Sequence, residues 1–270
     1  LPPLPGAFRQ FLLWAAQYTM NPPGLMLKMA LAGTMLPVPP PGETVWRQAI
    51  TAPPQFRADS KAARLWALFE QAPTLTEAML EGAGLARADA QALVKRGVLL
   101  AARHSAPAQN PPNPDYAPPQ LSVPQREAAA ALVAAFDNPK PVLLQGVTGS
   151  GKTEVYCEAI AAALRRGKQV VVLMPEIALT TAMLARFTAR FGMAPTLWHS
   201  DLPDKQRRAN WWAIARGQAG LVVGARSALF LPYAALGLII VDEEHEAAYK
   251  QEEGVIYHAR DMAVARAHHE

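Results

Sequence analysis

The sequence predicts an α/β fold: a parallel sheet with helices on both faces, preceded by a small helical unit. Three observations carry that prediction. From about residue 121, apolar runs at 142–145, 169–174, 195–198, 220–224 and 237–241 alternate with helical stretches at 124–136, 152–166, 179–191 and 204–216. Strands that alternate with helices pair in parallel through right-handed crossovers. Residues 146–153 read Gly-Val-Thr-Gly-Ser-Gly-Lys-Thr, a G-x-x-x-x-G-K-[ST] loop set between an apolar run and a helix, the context that makes this pattern a phosphate site. The apolar run Leu238–Val241 ends in Asp242-Glu243-Glu244-His245, at the carboxyl end of a strand, where open α/β sheets present their ligand sites.

Proline divides the chain. Nineteen of the 25 prolines lie at or before Pro124, so the first part is punctuated and the rest is regular. Residues 7–20 have an amphipathic helical pattern, and Leu25 to Leu36 is a second apolar stretch. Pro37, Pro39–Pro41 and Pro53-Pro54 read as a linker, so residues 1–56 are assigned to the end of a preceding domain and its linker. Residues 57–104 form a compact helical unit. Ser60 caps a helix over 61–71, Thr74 or Thr76 starts one to about Glu81, and Ala86–Arg96 gives a third. Gly97 ends the third helix before the strand-like Val98-Leu99-Leu100. Three short helices and a strand resemble a winged helix, with Arg87, Lys95 and Arg96 on or near the third helix, where DNA-binding modules place groove contacts. Equally, such a module serves protein contacts or spacing. Six prolines within 105–119 make a second linker (105–120), and residues 121–270 form the α/β lobe.

Composition sets limits. The chain is 51% hydrophobic and 18% charged, enough for a sizeable core. The net charge of +4 fits an acidic partner such as nucleic acid but does not establish one. Cys157 is the only cysteine, so there is no disulfide framework and no cysteine-based metal site; it reads as a small buried hydrophobe. No apolar run approaches the ~20 residues that span a bilayer. The start lacks the charged region of a signal peptide, which points to a cytoplasmic protein. The absent initiator Met and an end in mid-helix lead us to expect a fragment of a longer protein. Trp211-Trp212 lie on a predicted helix, and one of them is expected in the core.

The site residues follow from chemistry. Gly146, Gly149 and Gly151, with Val147, Thr148 and Ser150 between them, let backbone N–H groups wrap phosphates at a helix N-terminus. Lys152 adds charge for the β- and γ-phosphates, and the Thr153 hydroxyl is a ligand for Mg²⁺. Asp242 at the strand exit pairs with that ion, and Glu243 polarises the attacking water as general base. The chain is therefore expected to bind and hydrolyse a nucleoside triphosphate with Mg²⁺. By itself, an acidic cluster is equally a solvated helix start; the phosphate loop upstream decides for the catalytic reading.

The spelling Asp242-Glu243-Glu244-His245 resembles the D-E-x-H box of superfamily 2 helicases. Pro124-Gln125 looks like the upstream glutamine motif whose amide reads adenine; otherwise Gln125 is an exposed helix-start residue. Met174-Pro175-Glu176-Ile177-Ala178-Leu179-Thr180 resembles motif Ia and Val223–Pro232 motif Ib, loops that touch the phosphates of a single strand in that class. Thr180, Arg226 and Ser227 are the matching contacts here. The resemblance implies a RecA-like P-loop NTPase lobe.

A narrower resemblance rests on Gly146–Tyr156, Leu197-Trp198-His199-Ser200, Gly224–Phe230, Val241–Gly254 and Tyr257–Val264. These segments are similar to the bacterial replication restart helicases, the PriA or primosomal protein N′ family. That resemblance implies an ATP-dependent 3′-to-5′ DNA helicase at stalled or branched forks. The implied partners are single-stranded and forked DNA, primosome proteins and single-stranded-DNA-binding protein, and the implied state is a nucleoid-associated monomer. It further implies that Tyr249 to Tyr257 couple DNA to hydrolysis, with His245 and Lys250 in the coupling set. Tyr249, Tyr257 and His258 either stack on bases or pack beneath the loop. Val255-Ile256 stand where the family often has an aromatic and a basic residue, which keeps a second reading open: a DNA-structure-binding primosome scaffold with weak ATPase. A third is an unrelated P-loop enzyme such as a small-molecule kinase. The family's zinc-binding insertion, most of its N-terminal domain that binds a 3′ DNA end, and its second lobe with arginine fingers have no counterpart in these residues. The isolated chain is therefore expected to hydrolyse ATP slowly, since such an arginine is worth roughly 10³–10⁵ in rate in related systems.

Overall fold

The computed structural model describes residues 3–31, 43–50, 54–57, 59–70, 72–104, 111–137, 140–147 and 149–270. The described residues of Leu1–Val38 and Gln109–Glu270 form one compact unit, and those of Pro39–Ala108 form another. These units differ from the segments drawn from the proline clusters: the first two helices go with the α/β lobe, and a strand at 43–48 goes with the small unit.

Helices α1 (Gly6–Tyr18) and α2 (Pro23–Ala30) bury Phe8, Phe11, Ala15, Met26 and Ala30 in the core of the larger unit. The smaller unit contains β1 (Glu43–Gln48), α3 (Lys61–Ala67), α4 (Glu77–Gly82), α5 (Arg87–Lys95) and β2 (Leu99–His104). Its helices start where the sequence predicts. The Ser60 hydroxyl accepts from Ala63 N at 3.2 Å and the Thr76 hydroxyl from Met79 N at 3.3 Å, satisfying donors that a helix N-terminus leaves open. Gly97, at φ +72°, ends α5 in the left-handed conformation glycine adopts without strain. β1 pairs antiparallel with β2. The sequence reading missed β1 because it lies between proline clusters and its partner is distant. Its signal was Thr44-Val45-Trp46, β-formers of which Val45 and Trp46 are buried. The small core is Trp46, Leu65, Leu75, Leu80, Leu85 and Leu93 with their neighbours.

The larger unit continues with α6 (Val123–Ala134), α7 (Lys152–Arg165), β3 (Gln169–Leu173), α8 (Thr181–Phe191), β4 (Thr196–Trp198), α9 (Asp204–Ala215), β5 (Leu221–Gly224) and β6 (Leu236–Val241). A two-residue pair, β7 (Lys250–Gln251) and β8 (Tyr257–His258), precedes α10 (Ala259–His269). The sheet order is β4-β5-β3-β6, all parallel. Side chains alternate across it, as the pleat requires. Val171, Leu173 and Val222 join a core with α1, α2, α9 and α10, while Val170, Val172, Leu221 and Val223 join a core with α7 and α8. Burial on both faces explains why these strands are continuous apolar runs rather than alternating ones.

One predicted strand is corrected. Residues 142–145 carry no ladder among the described residues; β6 ends the sheet order, and no described strand lies beyond it. A strand is defined by its ladder, and without a partner Val142 and Leu143 stay exposed while only Leu144 packs inward. Both adjacent tryptophans of α9 are buried, one more than expected; Trp211 Nε1 donates to Ala30 O at 2.8 Å. Arg266 of α10 is fully buried, with its guanidinium carbon 4.5 Å from the Phe8 ring centroid and 5.0 Å from that of Tyr233. It donates to Leu229 O and to Glu270, so the buried charge is paired. These contacts tie α1 to the lobe.

Candidate functional site

The phosphate loop is shaped by glycine. Gly149 and Gly151 sit at φ +79° and +82°, values that side chains other than glycine rarely adopt. Gly151 is the residue that opens α7. A Cβ on Gly146 would lie 2.6 Å from Ser150 Oγ, so a side chain there would displace the serine hydroxyl. Thr148 lies outside the described residues. Val147, Gly149 and Ser150 are exposed, which leaves the loop open to a ligand. Lys152, the first residue of α7, donates from Nζ to Gly146 O at 3.0 Å and sits 3.9 Å from Glu243 Oε1. Its ammonium thus lies between the loop and the acids of the strand exit. Gln125 bridges α6 to the loop. Its Oε1 accepts from Ser122 N at 2.9 Å and its Nε2 donates to Ser150 O at 2.9 Å. Both ends of the amide have protein partners.

Asp242 extends the sheet by one bond, its N–H donating to Leu173 O at 3.0 Å. Its Oδ1 accepts from Glu243 N at 3.1 Å and its Oδ2 from the Tyr156 hydroxyl at 3.1 Å. Glu243 follows at φ +48°. A non-glycine residue held there stores roughly 1–3 kcal/mol, an arrangement that clusters at functional sites. That backbone turn leaves the Glu243 carboxylate near Lys152, with His245 Nε2 3.9 Å from its other oxygen. The arrangement sets a cation and the loop's backbone amides beside one carboxylate and leaves a second carboxylate exposed. Thr153 and Asp242 offer two oxygen ligands, which suits Mg²⁺, an ion that takes one or two protein oxygens and completes its shell with water and phosphate. Bound there, Mg²⁺ would neutralise charge on the phosphates.

Burial pushes the Asp242 carboxyl above its ordinary value, with the Glu243 charge adding to the effect, while the Tyr156 hydrogen bond pulls the other way. A carboxyl whose folded pKa is raised costs stability once ionised. The penalty is absent below the unfolded value of 3.8 and grows as pH rises through the folded value. Asp242→Asn should therefore raise the thermal midpoint of the nucleotide-free protein at pH 7 and lose that advantage at pH 3.5. A midpoint that falls at pH 7 would refute this assignment of cost.

The residues expected to contact DNA separate into two groups. Thr180 caps α8, its hydroxyl accepting from Met183 N at 3.2 Å, and is exposed. Arg226 donates from Nη1 to Ala248 O at 2.8 Å and Lys250 O at 3.0 Å, and Ser227 beside it is exposed. Lys250 pairs with Glu252 at 2.8 Å. Arg226, Lys250, Gln251, Glu252 and Glu253 line an open polar hollow of about 510 Å³. The tyrosines are different. Tyr249 is 1% exposed and its hydroxyl donates to Leu173 O at 2.9 Å and to Asp242 O. Tyr257 is 4% exposed and lies edge-on to Phe230 with centroids 5.1 Å apart. Neither ring is open to a base, so the stacking reading is corrected to packing beneath the loop. The aromatic bodies fill the core, and the Tyr249 hydroxyl satisfies strand-end carbonyls. His258 caps α10, its Nδ1 accepting from Arg260 N at 3.3 Å. The residue missed from sequence is Tyr156. Its signal was position i+4 from Lys152, on the same face of α7.

The fold and this site define a class. Residues 123–269 match the DEAD/DEAH box helicase family, and the chain belongs to that family. The chain is also similar to proteins named Replication restart protein PriA. It is 51% identical to that of Bacillus subtilis (strain 168) over 133 residues, 49% of this chain and 16% of that protein. With the Rickettsia felis protein it shares 45% identity over 154 residues, 57% of this chain and 23% of the relative. With that of Chlamydia pneumoniae it shares 36% identity over 282 aligned positions, 97% of this chain and 37% of the relative. The chain thus spans well under half the length of these relatives. Among the described residues, no helix is long and apolar enough to cross a membrane.

Proposed function

We propose that this chain is the nucleotide-binding lobe, with its preceding adaptor, of a cytoplasmic ATP-dependent 3′-to-5′ DNA helicase acting at stalled or branched forks in replication restart. The observation that carries the proposal is the meeting of Lys152, Glu243 and Asp242 at the mouth of the glycine loop. In this reading Gly146, Val147, Thr148, Gly149, Ser150 and Gly151 wrap the phosphates, and Lys152 balances their charge. Thr153 and Asp242 hold Mg²⁺, and Glu243 takes the proton of the attacking water. Gln125, fixed on the Ser150 carbonyl, joins the adenine side of the site to the loop. Similarity to proteins named for replication restart supports forked and single-stranded DNA as the track and primosome proteins as partners.

Arg226 is the contact through which the strand reaches the ATP site. Its guanidinium holds the carbonyls on either side of Tyr249, and Tyr249 holds the Asp242 carbonyl. A phosphate drawn to Arg226 therefore pulls on a short, bonded path to the metal carboxylate. Arg226→Ala should weaken single-stranded DNA binding for all sequences and lower the slope of log affinity against log salt by about 1. ATP binding without DNA should stay unchanged. Fluorescence anisotropy with a labelled oligonucleotide at several salt concentrations measures this; an unchanged slope removes Arg226 from the track. For the longer protein, unwinding of a forked duplex that survives Lys152→Ala undiminished would leave the scaffold reading standing instead.

A further inference from the structure

Tyr156 is 5% exposed and reaches Asp242 from inside the lobe. Helical spacing puts Lys152, Thr153 and Tyr156 within one turn of α7, at the helix end nearest the phosphate loop. The Tyr156 hydroxyl donates to Asp242 Oδ2 at 3.1 Å. The other carboxylate oxygen accepts from Glu243 N at 3.1 Å, and the Asp242 carbonyl is held by Tyr249. Asp242 is thus held at both carboxylate oxygens and at its main chain. A free carboxylate at a strand exit rotates about two side-chain torsions. A donor on one oxygen selects the rotamer, and such outer partners tune metal affinity.

We infer that Tyr156 is a positioning residue: its hydroxyl fixes the orientation in which the Asp242 carboxylate meets the divalent ion that accompanies the nucleotide. The inference rests on the nucleotide site proposed above and is independent of DNA. Tyr156→Phe keeps the buried ring and removes only the donor. The test is binding of ATP carrying a ribose fluorophore to this chain, once with Mg²⁺ and once in EDTA, alongside thermal unfolding.

The affinity gained on adding Mg²⁺ should fall ~10-fold or more in Tyr156→Phe, the range for losing an outer-shell partner. Affinity in EDTA should match the parent, and the thermal midpoint should fall only by the loss of one donor to a buried carboxylate. In an Asp242→Asn background the same substitution should change nothing further, because the group it positions is gone. A full Mg²⁺ gain in Tyr156→Phe, or an equal loss with and without Mg²⁺, overturns the inference. Asp242→Asn separates the two levels. If that variant keeps the Mg²⁺ gain, the nucleotide-site reading fails; if it loses the gain while Tyr156→Phe keeps it, only the positioning role fails.

Discussion

Glu243→Gln should reduce ATP hydrolysis by ~10²–10⁴-fold, the usual contribution of a general base, while nucleotide binding stays close to that of the parent. The substitution keeps size and hydrogen-bonding capacity and removes the acceptor for the water's proton. It also removes the negative charge 3.9 Å from Lys152. That ion pair is half-exposed and weak, so its loss frees the ammonium for phosphate instead of unfolding the site. Nucleotide affinity should therefore hold or rise slightly as turnover collapses. Single-turnover hydrolysis and equilibrium binding on the same preparation separate the two effects. Equal loss of both would mean that Glu243 supports the fold rather than the chemistry. Its left-handed backbone does not confound that distinction, because Gln carries the same strain there as Glu.

Lys152→Ala should act on the other quantity. Hydrogen bonds to charged groups contribute roughly 1.5–3 kcal/mol each, so ATP affinity should weaken by roughly 10- to 100-fold, with a smaller loss for ADP because Lys152 serves the β- and γ-phosphates. In the nucleotide-free protein the Lys152 ammonium is bound to Gly146 O and lies near Glu243. Removing it should leave the loop exposed and the thermal midpoint almost unchanged, since no core contact is lost. Identical affinities for ATP in parent and variant would place the phosphates elsewhere.

Much of the site was legible because phosphate chemistry constrains the sequence locally. The loop, the acids at the strand exit and the helix opening at Lys152 are each contiguous, and local patterns report contiguous demands. Buried parallel strands were equally visible as apolar runs, since both faces of β3 and β5 are covered. What depends on distant partners was not visible. Residues 142–145 have the composition of a strand but no pairing neighbour among the described residues, and β1 becomes a strand only because β2 lies beside it. Tyr249 and Tyr257 have amphipathic rings that fit a DNA track or a core, and only their burial decides. The turn at Glu243 and the hydroxyl of Tyr156 on Asp242 depend on torsions and on contacts far apart in sequence, neither of which residue spacing reveals.

In the proposed function a single strand of DNA is coupled to the triphosphate site through Arg226, Tyr249 and Asp242. The most direct measurement is single-turnover ATP hydrolysis by this chain with and without a single-stranded oligonucleotide, repeated in Arg226→Ala. Slow hydrolysis should rise when DNA is added, and the rise should be lost in the variant while its DNA-free rate is retained. Hydrolysis at one rate with and without DNA in the parent chain would contradict the coupling.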